Sequence, residues 1–424
     1  MAIIMRVMIF CLALLSNAAF CLAETEKVLT WEDCVNQAIM HNPDLASAKE
    51  KVRQAREDKY IALSDILPQV SSQAGASRTK AAKGKETEAY SYNLSAQQLV
   101  FDGYKTASGV AEASKTMTAE EYNLAVTSSN IRLNLREAFV NLLRAEELIS
   151  LTADIAGRRK ENLELVQLRY EAGREHKGAL LTAEADLAQA EFEAAQAERN
   201  LLLSEERLSK ELGGTMRPPI RAKGAFEIKE PQDEKPFFES LANETPFLKE
   251  LIARKEAARF HHNSSQADFF PQVYLNGSWG HSASDWPPRH NAWSMGMTVS
   301  LPIFEGGKRV AEVSKTGSQL REAEANEISG RESVIFTLES AWKNFQDSIG
   351  TVFVKQKFLQ ATEERAKIAV AQYSTGLATF DDWIIIEDNL VNARKAYLDA
   401  QANLLLAEAA WIQAKGGTLE NVKE

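Results

Sequence analysis

The sequence predicts a mainly α-helical protein with membrane β-strands: long helices form a coiled-coil α-barrel, and four strands per chain join a shared transmembrane β-barrel. Three observations support this fold class: an N-terminal export signal, a duplication that covers almost the whole chain, and an alternation of strand-like and very long helical segments in each copy. The 424 residues are 45% apolar and 25% charged, as in an ordered protein. The formal charge is −10 without a basic patch, so nucleic acid is not an expected partner.

The segment 1–23 is predicted to be a secretory signal. Arg6 precedes the apolar run Val7–Leu15, and the small residue Ala23 stands at the expected cleavage site. The apolar run is too short for a spanning helix. Phe20 is too large for the position before an acylated cysteine, so lipidation is not expected. Cleavage leaves Cys34 as a single thiol, and the mature fold is then expected to form without an internal disulfide.

The strongest pattern is a duplication at a constant offset of 203 residues. The matching anchors are Pro43 with Pro246, Leu67–Val70 with Phe270–Val273, Val100–Gly103 with Ile303–Gly306, Tyr170 with Tyr373, Gly173 with Gly376, and Gly213–Gly214 with Gly416–Gly417. So long a period indicates two copies of a large supersecondary unit. We therefore predict a first repeat over 24–214, a linker over 215–232, a second repeat over 233–417 and a short tail over 418–424.

Each repeat is predicted to contain a helix, a strand hairpin, a very long helix, a turn and a return helix. The first helices are expected over 31–66 and 236–269, each stopped by a proline. Four strands with alternating apolar and polar residues are predicted over 70–76, 90–99, 273–280 and 293–301. They approach the ~10 residues of a tilted membrane strand. Polar loops are expected between them at 79–88 and 282–291.

The return helices carry a coiled-coil pattern, in which apolar and small residues alternate spacings of three and four. The seam positions are Leu187, Ala190, Ala194, Ala197, Leu201, Ser204 and Leu208 in the first copy, and Leu390, Ala393, Tyr397, Ala400, Leu404, Ala407 and Trp411 in the second. Such a repeat predicts left-handed supercoiling against partner helices. The long helix predicted from Lys105 to Tyr170 would extend about 100 Å, which suits a wall better than a globular core.

Four strands are too few to close a membrane barrel, so the sequence predicts an oligomer. Open sheet edges are not tolerated in lipid, and bacterial barrels have at least eight strands. A dimer would supply eight strands, whose side chains fill the interior, whereas a trimer would supply twelve and leave a lumen. No segment after the signal reaches about 18 apolar residues, so no transmembrane helix is expected.

The tandem units, the F-[DE]-G elements at 101–103 and 304–306, and the Y-x-x-G turns at 170–173 and 373–376 resemble the TolC family of outer-membrane efflux and secretion channels. The resemblance extends over 30–417. It implies a homotrimer with a twelve-stranded barrel in outer-membrane lipid and a helical tunnel through the periplasm. It also implies a periplasmic adaptor and an inner-membrane pump as partners, and no cofactor. The transported substrate and the class of pump stay open.

The F-[DE]-G elements are expected to turn strand into helix. Gly103 and Gly306 permit a tight reversal. Asp102 and Glu305 place an acid near the positive end of the following helix dipole.

The glycines of the Y-x-x-G turns are expected to end the long helices. Gly173 and Gly376 suit a helix C-terminus, where a left-handed backbone conformation is common. The resemblance adds that these ends, together with Tyr170 and Tyr373, form the periplasmic tip at which the adaptor docks.

The resemblance also implies that Asp382, with Asp381 beside it, contributes to a constriction of the tunnel. Three such carboxylates around an axis would repel one another and attract cations. The family's second acidic position is Ile385 here and its basic latch position is Ala378, so a gate of two acidic rings is not expected. In the alternative interpretation, Asp381 caps the following helix and Asp382 stabilises its first turn.

Other candidate sites have ordinary explanations. His261 and His262 are expected to be solvated rather than to bind metal, because adjacent residues on a helix do not face each other. Trp279, Trp286 and Trp293 suit a membrane-interface girdle. No nucleophile–base pair, phosphate loop or metal-ligand spacing is present, so no enzyme and no metal site are predicted.

The favoured function is a passive outer-membrane exit duct for drugs or metal ions in a tripartite efflux system. One alternative is the outer-membrane channel of a type I protein-secretion system. A different class, a periplasmic coiled-coil structural or adaptor protein, is disfavoured because an adaptor normally has one helical hairpin framed by compact β-domains.

Overall fold

The computed structural model describes residues 27–80, 82, 84–214, 216–217, 219–226 and 235–421, and the predicted signal lies outside them. The first repeat contains β1 (Lys27–Leu29), α1 (Trp31–His41), α2 (Pro43–Ser64), β2 (Gln69–Lys80), β3 (Glu86–Phe101), α3 (Lys105–Glu171) and α4 (Lys177–Glu211). Strand β4 (Ile220–Ala222) lies between the repeats, and the second repeat contains α5 (Phe238–Glu244), α6 (Pro246–Ala267), β5 (Gln272–Ala283), β6 (His290–Ser300), α7 (Lys308–Thr375) and α8 (Phe380–Ala414). Within these residues, no helix combines the length and the apolar character that a membrane span requires.

The predicted duplication is present in three dimensions. Helices α2 and α6, strands β2 and β5, and helices α4 and α8 begin and end at positions 203 residues apart. The long helices α3 and α7 contain 67 and 68 residues, which corresponds to about 100 Å each. Both copies therefore build the same helix–hairpin–long helix–return helix unit.

The first helix of each repeat is broken, so the prediction of single helices over 31–66 and 236–269 is wrong. Asn42 has an extended backbone (φ −68°, ψ 121°), and its side-chain oxygen accepts hydrogen bonds from two amides of the first turn of α2, at 3.0 and 3.2 Å. Pro43 lacks an amide and disfavours helix in the residue before it. Thr245, again before a proline, breaks the second copy in the same way.

The long and return helices pack as antiparallel hairpins. Helix α4 folds back along α3, and α8 folds back along α7. Every predicted seam position of both return helices is buried or half-buried. Helix α3 also contacts α2, α6 and α8, so it forms most of the helical contact between the two repeats.

The described parts of the predicted linker and tail contact the first repeat. Strand β4, inside the predicted linker, pairs in parallel with β1. Leu419, in the predicted tail, is 1% exposed, and its amide donates a hydrogen bond to Oγ of Ser128 at 3.1 Å. Strand β4 and Leu419 therefore pack on the first repeat, a contact that the sequence pattern of these segments does not indicate.

The labelling rate of the buried thiol of Cys34 shows whether the first repeat is folded. Cys34 lies on α1, is fully buried within the first repeat's core, and burial raises its thiol pKa to about 12. The thiolate is the reactive form, and its fraction falls tenfold per pKa unit. We expect maleimide to label the folded protein at least about 100-fold more slowly than the protein in urea. Mass spectrometry of both reactions checks this, and equal rates would show that α1 is detached.

The four long strands form one antiparallel sheet in the order β2–β3–β5–β6. The predicted loop over 79–88 is too long, because β2 continues to Lys80 and β3 starts at Glu86. Arg78 forms an ion pair with Glu86 at 3.0 Å across the two strands, which extends the hairpin. In the second hairpin the connection between strands covers only 284–289.

Candidate functional site

The sheet has one apolar and one polar face. The register places Leu94 opposite Trp279 and Trp279 opposite Trp293 on the apolar face. Trp293, Met295 and Met297 expose 75%, 71% and 66% of their surface, too much for a face that water covers. On the polar face, hydroxyl and amide side chains join neighbouring strands: Ser71 with Ser95 at 2.8 Å, Ser278 with Ser294 at 2.8 Å and Asn276 with Thr298 at 3.0 Å.

Both outer strands of the sheet have open edges. Strands β2 and β6 each pair on one side only, and every residue in them is exposed. An open edge presents a row of unpaired amide and carbonyl groups, which is a template for another strand. The sheet is therefore incomplete in a single chain.

The two strand-to-helix turns share their backbone but differ in contacts. Gly103 and Gly306 both have positive φ, 69° and 60°. A Cβ atom at Gly103 would lie 2.4 Å from Cβ of Phe270, whereas one at Gly306 would meet nothing within 4 Å. The carboxylate of Asp102 accepts the amide of α3's first turn at 2.7 Å. The carboxylate of Glu305 instead forms an ion pair with Nε of Arg309, one turn later in the chain, at 2.9 Å.

We expect Gly103→Ala to destabilise the protein by about 3 kcal/mol, because the new methyl group adds a clash with Phe270 to the left-handed backbone strain. The matched control is Gly173→Ala, because Gly173 has φ 67° and open space around it. We expect this variant to lower the free energy of unfolding by about 1 kcal/mol. Thermal unfolding followed by far-ultraviolet circular dichroism measures both. Equal losses of stability in the two variants would contradict the clash. So would a double variant, Gly103→Ala with Phe270→Ala, that is no more stable than Gly103→Ala alone.

The ends of the long helices have the predicted glycine conformation. Gly173 has φ 67° and Gly376 has φ 81°. One residue further, the amides of Arg174 and Leu377 each donate a 2.8 Å hydrogen bond to a carbonyl five residues earlier. These bonds satisfy carbonyl groups that a helix end leaves without partners.

The two tyrosines of the helix ends differ. Tyr170 is 38% exposed, whereas Tyr373 is fully buried and stacks on Trp383 with ring centroids 4.3 Å apart. The hydroxyl of Tyr373 donates to Oε2 of Glu175 at 2.9 Å, and the guanidinium of Arg169 lies 4.5 Å from the centre of its ring. Burial and the bond to Glu175 raise the pKa of Tyr373 well above its usual range. The two tips of the chain are thus joined around Tyr373.

Asp382 belongs to the start of α8. Thr379, not Asp381, is the residue that caps this helix: its Oγ1 accepts the amide of Asp382 at 3.2 Å and donates to the carboxylate of Asp382 at 2.7 Å. Asp381 and Asp382 are both exposed. Ala179, the counterpart of Asp382 in the first repeat, is buried. The chain therefore carries this exposed carboxylate at one of its two tips.

A family model described as "Outer membrane efflux protein" matches residues 34–214 and 238–417. The chain belongs to the outer membrane efflux protein family. The resemblance that the duplicated motifs suggested is confirmed, and the protein is an outer-membrane component of efflux machinery.

Individual relatives agree with this assignment. The efflux protein is 23% identical to the outer membrane protein TolC of Escherichia coli over 408 residues, covering 90% of this chain and 81% of TolC. It is 24% identical to the alkaline protease secretion protein AprF of Pseudomonas aeruginosa, covering 90% and 82%. Its fold matches a solved structure of CusC with a TM-score of 0.84 at 18% identity, covering 91% of each chain.

The sequence analysis missed a band of ion pairs that joins α8 of the efflux protein to the helices α3 and α4 of the first repeat. Glu387, 1% exposed, accepts two hydrogen bonds from Arg158 at 3.0 and 2.8 Å. Its neighbours Arg159 and Asp388 form a second pair. Lys395 binds Glu193 of the first repeat's return helix. Adjacent like charges at 158–159 and 387–388 were a visible signal, although the pattern does not say that they meet.

His261 and His262, which the sequence predicts to be solvated, are only partly exposed and also contact neighbouring helices. Both are half-buried on α6. Nδ1 of His261 lies 3.0 Å from the carboxylate of Glu112 on α3, and Nδ1 of His262 lies 3.0 Å from the hydroxyl of Thr316 on α7. Because the adjacent side chains point to different neighbours, they join α6 to both long helices.

The three tryptophans cluster at one end of the sheet. Trp279 and Trp293 lie opposite each other, and the ring of Trp286 lies 6.0 Å from that of Tyr90. Trp286 is 72% exposed. Amphipathic rings at the end of an apolar face are typical of the boundary between lipid and water.

Proposed function

We propose that this outer membrane efflux protein is the passive exit duct of a tripartite system, and that three copies join their sheets into one twelve-stranded barrel. The observation that carries the proposal is the four-stranded sheet with one apolar face, one polar face and two open edges. In lipid every backbone group needs a partner, so the edges must pair with further strands. Twelve strands give a barrel with a water-filled interior, and eight do not.

Unpartnered apolar residues on the long helices support the same assembly. On α4, Leu181, Phe192 and Leu203 recur every 11 residues, which places them on one face, and they are 52%, 56% and 70% exposed. On α7, Phe336 and Phe358 are 72% and 63% exposed. Helical walls that meet those of neighbouring copies would cover these residues and continue the tube into the periplasm.

The test is the oligomeric state and the conductance of the purified outer-membrane protein. We expect unheated protein to migrate in detergent gels at three times the mass of the heated chain, and to form discrete conducting steps in planar lipid bilayers. A water-soluble monomer without channel activity would refute the duct.

We further propose that the tips dock a periplasmic adaptor, which links the duct to an inner-membrane pump. Gly173 and Gly376 are both exposed. They lie at the far ends of the long helices, about 100 Å from the sheet. Tyr170 is available for contact, whereas Tyr373 holds the tips together. Pull-down by the adaptor tests this location. We expect Tyr170→Ala to weaken adaptor binding, whereas Trp293→Ala, which changes an exposed residue of the sheet, should leave it unchanged.

Asp382 is proposed to face the narrow end of the duct, with Asp381 beside it. Asp382→Asn is the informative change, because asparagine still accepts the hydroxyl of Thr379 but carries no charge. We expect it to abolish block of single-channel current by multivalent cations applied from the periplasmic side. An unchanged block would assign Asp382 to helix capping alone, and Asp381→Asn measures separately what the neighbouring carboxylate contributes.

We propose small molecules, drugs or metal ions, as the cargo. The alternative, export of a protein, is supported by the likeness to a protease secretion protein. A strain lacking this gene distinguishes them: a lowered inhibitory concentration of drugs or metal salts supports small-molecule efflux, and loss of a secreted protein with unchanged resistance supports secretion.

A further inference from the structure

We infer that Asp186 is a proton-binding site that joins the two helical hairpins of the chain more tightly as the medium becomes more acidic. Asp186 lies on α4, nine residues after the first residue of this return helix, which is about 14 Å along the helix axis from the turn at the tip. The inference concerns contacts within one chain, so it holds for any number of copies in the duct.

One arginine faces two carboxylates at this level of the hairpins. The Arg159 side chain, on α3, is 9% exposed, and its Nη2 donates to Oδ1 of Asp388 on α8. Its Nη1 lies 3.8 Å from Oδ2 of Asp186, which is too far for a hydrogen bond. The cluster therefore holds two negative charges and one positive charge, and Asp186 is the more weakly paired carboxylate.

Buried polar atoms without partners mark the same place. Among the described residues, Nη1 of Arg159, Nδ2 of Asn162 and Oδ2 of Asp186 are enclosed and have no hydrogen-bond partner. Arg159 and Asn162 are three residues apart on α3, so they lie on one face of that helix. An enclosed polar atom without a partner costs free energy, and a charged one costs more than a neutral one. A proton on Asp186 removes its charge and also provides a hydrogen-bond donor.

The charges around Asp186 favour its protonated form. Burial raises the pKa of the Asp186 carboxyl, the charge of Arg159 lowers it and the carboxylate of Asp388 raises it again, and the net result is a raised pKa. Lys395 on α8 also reaches α4, where it pairs with Glu193 two turns beyond Asp186. The charges of that second pair balance, so the surplus negative charge between the hairpins belongs to Asp186.

The direction of the effect follows from the raised pKa. In the packed hairpins the ionised carboxylate of Asp186 is disfavoured, because it is partly withdrawn from water and repels Asp388 across the boundary between α4 and α8. When the hairpins separate, water solvates the carboxylate and its pKa returns to the ordinary value. The packed arrangement therefore binds the proton more tightly, and its stability rises as the pH falls through the raised pKa.

Hydrogen exchange of the purified full-length protein, measured by mass spectrometry on peptides from α4 and α8, tests the site. Asp186→Asn removes the charge and keeps the shape of the side chain. At neutral pH we expect this variant to increase the protection of these peptides at least about threefold. We expect the unmodified protein to gain protection between neutral pH and about pH 5, after correction for the pH dependence of exchange itself. The variant should show little of this gain.

Two further variants separate the site from general effects of charge. Glu184 is an exposed carboxylate on the same helix, so Glu184→Gln should behave as the unmodified protein does. Asp388→Asn leaves Arg159 to Asp186 alone, so we expect it to reduce the gain of protection in acid. Protection at neutral pH that is unchanged or lower in Asp186→Asn, or a gain in acid as large as that of the unmodified protein, overturns the inference and leaves the exit duct unaffected.

Discussion

Arg158→Met is expected to destabilise the protein by about 3 kcal/mol, because it leaves the carboxylate of Glu387 buried without its partner. The Glu387 side chain is 2% exposed and that of Arg158 is 36% exposed, so the loss lies at the lower end for a broken buried pair. The affected contact joins α3 of the first repeat to α8 of the second. Chemical unfolding in urea, followed by far-ultraviolet circular dichroism, measures the change.

Two variants separate burial from charge. Glu387→Leu added to Arg158→Met removes the stranded carboxylate, and we expect it to recover at least half of the loss. Arg53→Met breaks an exposed pair with Glu50, whose side chains are 70% and 57% exposed, and we expect a change below about 0.5 kcal/mol. If Arg158→Met lowers the free energy of unfolding no more than Arg53→Met does, the carboxylate of Glu387 is not buried.

Trp383→Ala is expected to destabilise the tips by about 3–5 kcal/mol, since it removes a fully buried aromatic ring and leaves a cavity. The ring stacks on Tyr373 at 4.3 Å and contacts Phe380 edge-on at 6.2 Å, so both neighbours lose packing as well. Limited proteolysis at the turns 172–176 and 376–379 should accelerate, and the unfolding temperature should fall.

The control lies in the same turn. Leu377 is 82% exposed, so Leu377→Ala removes a side chain of comparable hydrophobicity without opening a cavity. We expect its unfolding temperature to stay within about 1 °C of the parent, as is usual for surface changes. A loss as large as that of Trp383→Ala would show that the turn itself, rather than the buried ring, holds the tips together.

Most of the element order was predictable because it depends on periodicities that the chain repeats. Alternation over 293–301 identified β6, and the seam from Leu390 to Trp411 identified the buried side of α8. The breaks at Asn42 and Thr245 were missed, although an asparagine or threonine before proline is a helix start signal. Pro43 and Pro246 also mark the duplication, and that role does not by itself reveal a helix break.

The contacts at the tips were not predictable. A heptad pattern shows that a helix has a partner, but it does not fix which residue of that partner lies opposite. Arg158 and Glu387 are separated by 229 residues and meet only because α3 packs against α8 in one particular register. Tyr170 and Tyr373 stand in the same motif, yet only Tyr373 is buried, because a single chain contains one boundary between repeats.

The nearly equal lengths of the two long helices have a geometric consequence. Helices α3 and α7 differ by one residue in 67 and 68, which is about 1.5 Å in height over some 100 Å. Two hairpins of nearly equal length that start from the same sheet extend about equally far from it, and the bond between Tyr373 and Glu175 joins their turns. Inserting a single heptad into one hairpin alone would move its turn about 10 Å further from the sheet. A partner that binds both turns at once therefore depends on the lengths of the hairpins as well as on the chemistry of their turns.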